Sequence, residues 1–543
     1  MPSRPAASGT RLPRPLFGAL LLFGVLFVAV TLQVLRATDG HVGYALDDAY
    51  IHLAIARNVA QHGTWGINAG FFASASSSPL WTALLGALFT LTGVNDVIPL
   101  VLNLSGALAL IVVVATLLRR EGLAEPEQLG VLVALVLLAP MVPMVWIGME
   151  HSLNNVFVVL AVWRVANLSR PGTTSRLLPA LAWILLASAT RLEGLFVAAG
   201  CGVVLVWARR PAAAAAVCAV AALPTAVVGL WNVSHGWFFL PASVMMKQTV
   251  LPPPDASFIG TLVWSVMHAY PPGVFVVTLV IALILLARHW RVAGAPRSEP
   301  WLVVFVTASV LHLGLARFGF LYRYESYLMV LGVIAIGMAL HRQAQAIARA
   351  VRVLAPGDIV VAAAVVAAVA GNERTLYSNA ALINTAGHIY RQQRQMGLFV
   401  ARYYDRDAVA LNDIGAVSYF ANARVYDLAG LASIEVARAR RAMTFDTAFI
   451  NRWLAAGDVP LAVVYDFWYP DERRFYDRWV RVGRWITDNQ DELTEGAVTF
   501  YAPDQARAER LRSHLRDFMP SLPTGVVVEL TPPSSAAVPS VPH

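Results

Sequence analysis

Uninterrupted apolar stretches dominate this chain and limit it to a narrow set of folds. Residues 16–35, 97–118, 128–147, 152–168, 176–190, 194–208, 212–232, 269–288, 300–316, 321–340 and 356–371 form successive hydrophobic runs bounded by polar or turn residues. A bilayer leaves no water for unpaired backbone groups, so such runs cross it as helices. Only 14% of residues are charged and 57% are hydrophobic, whereas soluble domains carry about 25% charged residues. The pattern predicts a mainly α fold: a polytopic transmembrane helix bundle of about eleven spans. The first run follows Arg4, Arg11 and Arg14, is longer than a signal-peptide core and lacks a small-residue cleavage site. It reads as a retained signal anchor after a cytoplasmic tail over 1–15.

Arginine sorts the connections into two sets. RREGLAEPEQ, LSRPGTTSR, WARRP, ARHWRVAGAPRSE and HRQAQAIARAVR alternate with loops poorer in basic residues. The positive-inside rule places the arginine-rich set and the N-terminus in the cytoplasm and the C-terminus outside. The outward set comprises 36–96, GMEHS, ATRLEG, SHGWFFLPASVMMKQ, ARFGFLYRYE and everything after 371. The net charge of +8 is then a topology signal, and no basic face for nucleic acid emerges. Cys201 and Cys218 lie in apolar runs without Cys or His companions, so neither a disulfide nor a zinc site is expected.

After 371 the polar residues rise, and AVALN, RVYDL and PLAVVYDF read as strands, with DIGAVSYFANA as a helix between the first two. The expected organisation is a transmembrane domain over 16–371, a small extracytoplasmic α/β domain over 372–520, and a disordered Pro/Ser-rich tail over 521–543.

The predicted topology gathers the unusual polar residues on one face. Asp47 and Asp48 open an amphipathic segment, YALDDAYIHLAIARN, in the first outer loop. Glu150, Arg191, Glu193, Lys247, Arg317, Arg323 and Glu325 fall at the outward ends of spans, and Lys247 is the only lysine. Ionisable groups at a membrane surface are expensive to keep, and carboxylates mixed with cations suit an anionic lipid-linked ligand. Bland alternatives stand beside this: one aspartate capping a helix, a snorkelling lysine, and Arg191 paired with Glu193. Asp413 and Asp427 read as turn residues, or with Asn412 as part of an acceptor site.

ALDDAYIHLAIARNVAQHGTWGIN, SSSPLWTALLGALFTLTG, GMEHSL, ATRLEG, HGWFFLPASVMMK and LNDIGAVSYFANARVYDLAGLAS, in that order, resemble the GT-C superfamily of membrane glycosyltransferases. The similarity is to bacterial arabinofuranosyltransferases and, more distantly, to protein O-mannosyltransferases and aminoarabinose transferases. It implies a multi-pass enzyme of the bacterial plasma (inner) membrane whose site faces the periplasm or cell exterior. The implied reaction is inverting transfer of a sugar from a polyprenyl-phosphate donor to a glycan, lipid or protein hydroxyl. Asp47 matches the first acidic position, implying the general base, and Asp48 the second. Glu150, Arg191 and Lys247 match substrate-binding positions, the two cations near the donor phosphate. A divalent cation, Mg or Mn, serves some relatives and not others. Leu192 replaces an expected proline and Ala242 an expected asparagine, departures that bear on sugar and acceptor. The competing functions are a transporter or flippase for a lipid-linked or anionic substrate, and a non-catalytic envelope assembly protein.

Overall fold

The computed structural model describes residues 12–246, 257, 260, 273–293, 299–316, 318, 321–351, 356–469, 478–487 and 496–532. The chain begins with α1 (Arg14–Ala37), opened by Pro15 where a missing amide does no harm, and α2 (Asp47–His62), closed by Gly63 in the left-handed region at φ 63°. The bundle continues with α3 (Pro79–Thr92), α4 (Ile98–Arg120), α5 (Glu125–Leu138), α6 (Met141–Trp146) and α7 (His151–Leu168). Next come α8 (Leu178–Thr190), α9 (Gly194–Trp207), α10 (Pro211–Ser234), α11 (Ala242–Met246), α12 (Gly273–Ala293), α13 (Pro300–Leu315), α14 (Ser326–Val351) and α15 (Pro356–Ile389).

Among the described residues, five helices are long and apolar enough to cross a membrane: α1, α4, α10, α12 and α14. Helices α3, α8, α9 and α13 are apolar but shorter. Two expected spans take a different form. The run 128–147 is broken into α5 and α6 at Ala139–Pro140, where proline has no amide to continue the ladder. The run 356–371 belongs to a helix of 34 residues that continues to Ile389. The composition change at 371 therefore falls inside one helix. A π turn (Tyr390–Arg394) and α16 (Gln395–Tyr403) follow directly, so α15 runs without a break into the C-terminal domain.

That domain is α/β. It adds β1 (Ala408–Leu411), α17 (Gly415–Phe420), β2 (Arg424–Asp427), α18 (Ile434–Arg441), α19 (Thr447–Ala456), β3 (Leu461–Val464), β4 (Val480–Thr487), β5 (Ala497–Ala502), α20 (Gln505–Phe518) and β6 (Val526–Leu530). The sheet order is β2-β1-β3-β5-β4-β6. β2, β1 and β3 run parallel, and the remaining pairs are antiparallel. Strand alternation feeds two cores: Val409, Leu411 and Val463 point to the side holding Phe399 and Trp485, while Ala410, Ala462 and Val464 meet Ile450 and Leu454. The predicted strands at 408–411, 424–427 and 461–464 and the helix between the first two form as expected. Val526–Leu530, within the stretch expected to be disordered, instead pairs with β4 as an edge strand; residues 533–543 lie outside the described ones.

Candidate active site

The two aspartates that open α2 part company at once, because successive helical side chains diverge by about 100°. Asp47 turns into the contact with the C-terminal domain. Its Oδ2 accepts the Gly415 amide at 2.5 Å and its Oδ1 the Ala416 amide at 2.7 Å, at the start of α17. Asp413 reaches the same carboxyl by a side-chain hydrogen bond and accepts from Gln393 Nε2 at 3.0 Å. Burial and then the facing Asp413 hold Asp47 well above the usual carboxylate range, which the two amides offset only in part. As pH rises through that elevated value the pair loses its proton and two carboxylates confront each other. The α2–α17 contact should therefore loosen on the alkaline side and stay closed on the acid side. Amide exchange at Gly415 and Ala416, corrected for intrinsic rate, should rise with pH in the wild type and stay level in Asp413→Asn, whose side-chain N–H donates at any pH because it does not titrate.

Asp48 faces the other way and keeps solvent access, its side chain 20% exposed, with Oδ2 at 3.1 Å from Arg323 Nη2. Arg323 donates to the Tyr324 hydroxyl at 2.7 Å. The Tyr324 ring lies between two guanidiniums, 4.7 Å from Arg323 and 5.9 Å from Arg191. Arg191 grips Glu193 through two bonds of 2.7 and 3.2 Å, Glu150 at 2.7 Å and His151 Nε2 at 3.0 Å. One connected set of charges thus runs from α2 through the 321–325 turn to the α6–α7 and α8–α9 connections. The turn is strained where it delivers these groups: Leu321 and Tyr322 sit consecutively in the left-handed region, at φ 60° and 58°. Just beyond, Glu325 pairs with Arg374 at 3.2 Å, and Arg374 stacks on Tyr322 at 3.7 Å.

The Ser-rich stretch before α3 lines the other wall. His52 Nδ1 lies 2.7 Å from Thr82 Oγ1, its Nε2 3.3 Å from Ser77 Oγ, and Ser78 Oγ donates to the Thr190 carbonyl at 2.7 Å. A narrow groove with a cavity volume of about 30 Å³ opens there, lined by Ser77, Arg191 and Leu192 and by Pro224, Thr225 and Val228 of α10. Its floor thus leads from the charged cluster onto a helix with exposed Leu223, Val227 and Leu230.

Of the residues singled out from sequence, Asp48, Glu150, Arg191, Glu193 and Arg323 come together. Asp47 lies apart, and Lys247 and Arg317 lie outside the described residues. The segment leading to Lys247 starts beside the Ser-rich wall, where the Ala242 amide donates to Ser74 at 3.0 Å. Asn412 exchanges hydrogen bonds with the Tyr465 backbone, and Asp427 accepts the amides of Ala429, Gly430 and Ala432, both structural roles. Tyr324 and His52 carried no sequence signal beyond their polarity. Among the described residues no three His, Cys, Asp or Glu side chains converge as metal ligands. Glu150 and Asp48 are each paired with an arginine, Arg191 and Arg323.

A family model described only as a domain of unknown function, DUF8728, matches residues 383–501. No curated protein matches in sequence. Among solved structures the chain is similar to ArnT from Cupriavidus metallidurans bound to undecaprenyl phosphate, with TM-score 0.51, 15% identity, and coverage of 90% of this chain and 99% of that one. The same protein in its apo state gives 0.49 at 14% identity over the same shares. The chain thus shares the fold of this ArnT structure.

Proposed function

We propose that this protein is an inverting glycosyltransferase that moves a sugar from a polyprenyl-phosphate donor to a hydroxyl acceptor. The observation that carries the reading is one juxtaposition: a solvent-accessible carboxylate, Asp48, joined through Arg323 and Tyr324 to Arg191 at the mouth of a groove leading onto α10. The likeness to a fold solved with undecaprenyl phosphate supports the same donor class here.

In this mechanism the polyprenyl tail follows the groove along α10 and its phosphate rests at the Arg191 end. Asp48 takes the proton of the acceptor hydroxyl as that oxygen attacks the anomeric carbon, and the C–O bond to the lipid phosphate breaks with inversion. A phosphate is a competent leaving group once its charge is held, so no covalent enzyme intermediate is needed. Two carboxylates already surround Arg191. Its contribution is therefore a rigidly aimed donor edge, and the resemblance implies Lys247 as the second cation near the phosphate. Glu150 and Glu193 fix the guanidinium, and Tyr324 keeps the two arginines apart. Arg119 and Arg120 close α4, and Arg209 and Arg210 follow α9; by the positive-inside rule these arginines support a reading in which the site faces the extracytoplasmic side of a multi-pass bacterial membrane protein. The acceptor is a glycan, lipid or protein.

A bulky residue in the groove tests the donor path. Val228→Trp should raise KM for the lipid donor by about tenfold or more while kcat at saturation holds, because it obstructs the tail and leaves the reacting groups alone. An unchanged donor KM, measured with radiolabelled polyprenyl-phosphate sugar in nanodiscs, removes the groove from the account.

A further inference from the structure

Asp47 occupies the position that the resemblance assigns to a base, yet its surroundings are those of a fastening. Both carboxylate oxygens are used on the first amides of α17. Those amides carry the positive end of the helix dipole. At the other end of the same helix, Arg57 donates to the carbonyls of Tyr419 at 2.7 Å and Ala421 at 3.2 Å. A carboxyl group meets the amino end and a guanidinium the carbonyl end, and both come from α2. The six-residue α17 is therefore clamped at two points along one neighbouring helix.

The rest of the contact is built around that register. Tyr50 packs against Tyr419 and Phe420, with ring centres 6.0 and 5.7 Å apart. Asn68 exchanges two hydrogen bonds with the Val425 backbone, at 2.9 and 2.8 Å. Gly415 permits the approach: a Cβ there would stand 2.1 Å from the Asp47 carbonyl oxygen and 2.8 Å from its Oδ2, so no other residue fits without moving α2. These contacts join the first loop of the bundle to the domain matched over 383–501, and they end one residue from Asp48.

We propose that Asp47 is a positioning residue: with Arg57 it clamps the C-terminal domain onto α2, and that clamp aims Asp48 at the reacting centre. The proposal rests on the transferase reading for its consequence and on geometry alone for the clamp. It makes the C-terminal domain part of the active machinery, because moving α17 moves the first turn of α2.

The test compares Asp47→Asn, Arg57→Ala, Gly415→Ala and Asp48→Asn in the full chain in nanodiscs, by sugar transfer and by amide exchange over 414–421. Under the proposal Gly415→Ala, which touches no substrate, lowers kcat by roughly 10²-fold, and Asp47→Asn lowers it less than Asp48→Asn does. The acid limb of the pH–rate profile survives in Asp47→Asn, and exchange over 414–421 speeds up in the first three variants and not in Asp48→Asn. An inactive Asp47→Asn protein with unchanged exchange, beside a fully active Gly415→Ala protein, makes Asp47 the base and overturns the proposal. If wild type transfers nothing, the transferase reading fails by itself. The exchange data then still decide the clamp, and unaltered protection in Asp47→Asn and Arg57→Ala overturns it.

Discussion

Asp48→Asn is expected to lower kcat for sugar transfer by about 10³-fold, the usual scale of a lost general base, with little change in thermal stability. Asparagine fills the same volume and still offers an oxygen to Arg323, 3.1 Å away. Arg323 also keeps its bond to the Tyr324 hydroxyl, so the turn at 321–325 retains its anchor. What disappears is the basicity of the one aspartate of the pair that keeps solvent access. Donor KM should stay within a few-fold of wild type, because the groove and Arg191 are untouched. A folded Asp48→Asn protein that transfers at more than a tenth of the wild-type rate would remove Asp48 from the proton-transfer step.

Arg191→Ala should fail earlier, at the level of the fold. Glu150 is fully buried and Glu193 nearly so, and Arg191 is the cation both of them hold. Without the guanidinium two carboxylates share a site from which water is largely excluded. Breaking a buried pair in this way costs about 3–5 kcal/mol. Burial alone would raise the Glu193 carboxyl, and Arg191 outweighs it, holding that group below its ordinary value. Arg191→Ala should therefore accumulate poorly and melt well below wild type in a detergent thermal-shift assay. Arg191→Met combined with Glu150→Gln and Glu193→Gln should recover most of the stability and none of the transfer. That split separates the structural role of the cluster from its chemical one. A stable Arg191→Ala single variant would contradict the ion-pair account.

Much of the fold was legible because its signals are local. The unit β1–α17–β2 follows from strand-length apolar runs separated by an Asp-Ile-Gly turn, and the apolar runs of the bundle follow from the bilayer's demand on the backbone. The boundary at 371 misled for a physical reason: a fall in hydropathy marks a change of solvent, and α15 passes through it without a break. β6 was hidden because an edge strand is held by backbone bonds to β4, to which a Pro- and Ser-rich flank gives no clue.

The site was legible as a set of residues and illegible as a division of labour. Residue type and topology pointed to Asp47, Asp48, Glu150 and Arg191. Nothing local tells that Arg191 meets Glu150 from 41 positions away, or that Asp47 is met by an amide 368 positions on. Which of two adjacent carboxylates becomes the reagent depends on partners the chain supplies only after folding. Tyr324 was missed for the same reason, since its place between Arg191 and Arg323 follows from a strained turn that its sequence does not announce.

The central claim is transfer from a lipid-phosphate donor, and one measurement addresses it most directly. Purified wild-type protein in nanodiscs is offered a panel of radiolabelled undecaprenyl- and decaprenyl-phosphate sugars together with envelope extract as acceptor. The account predicts that label from one donor passes to an acceptor with stoichiometric release of the polyprenyl phosphate, and that Asp48→Asn abolishes both. Donor that stays intact across the whole panel, or labelled donor that moves between leaflets without cleavage, contradicts it and favours a transporter or flippase.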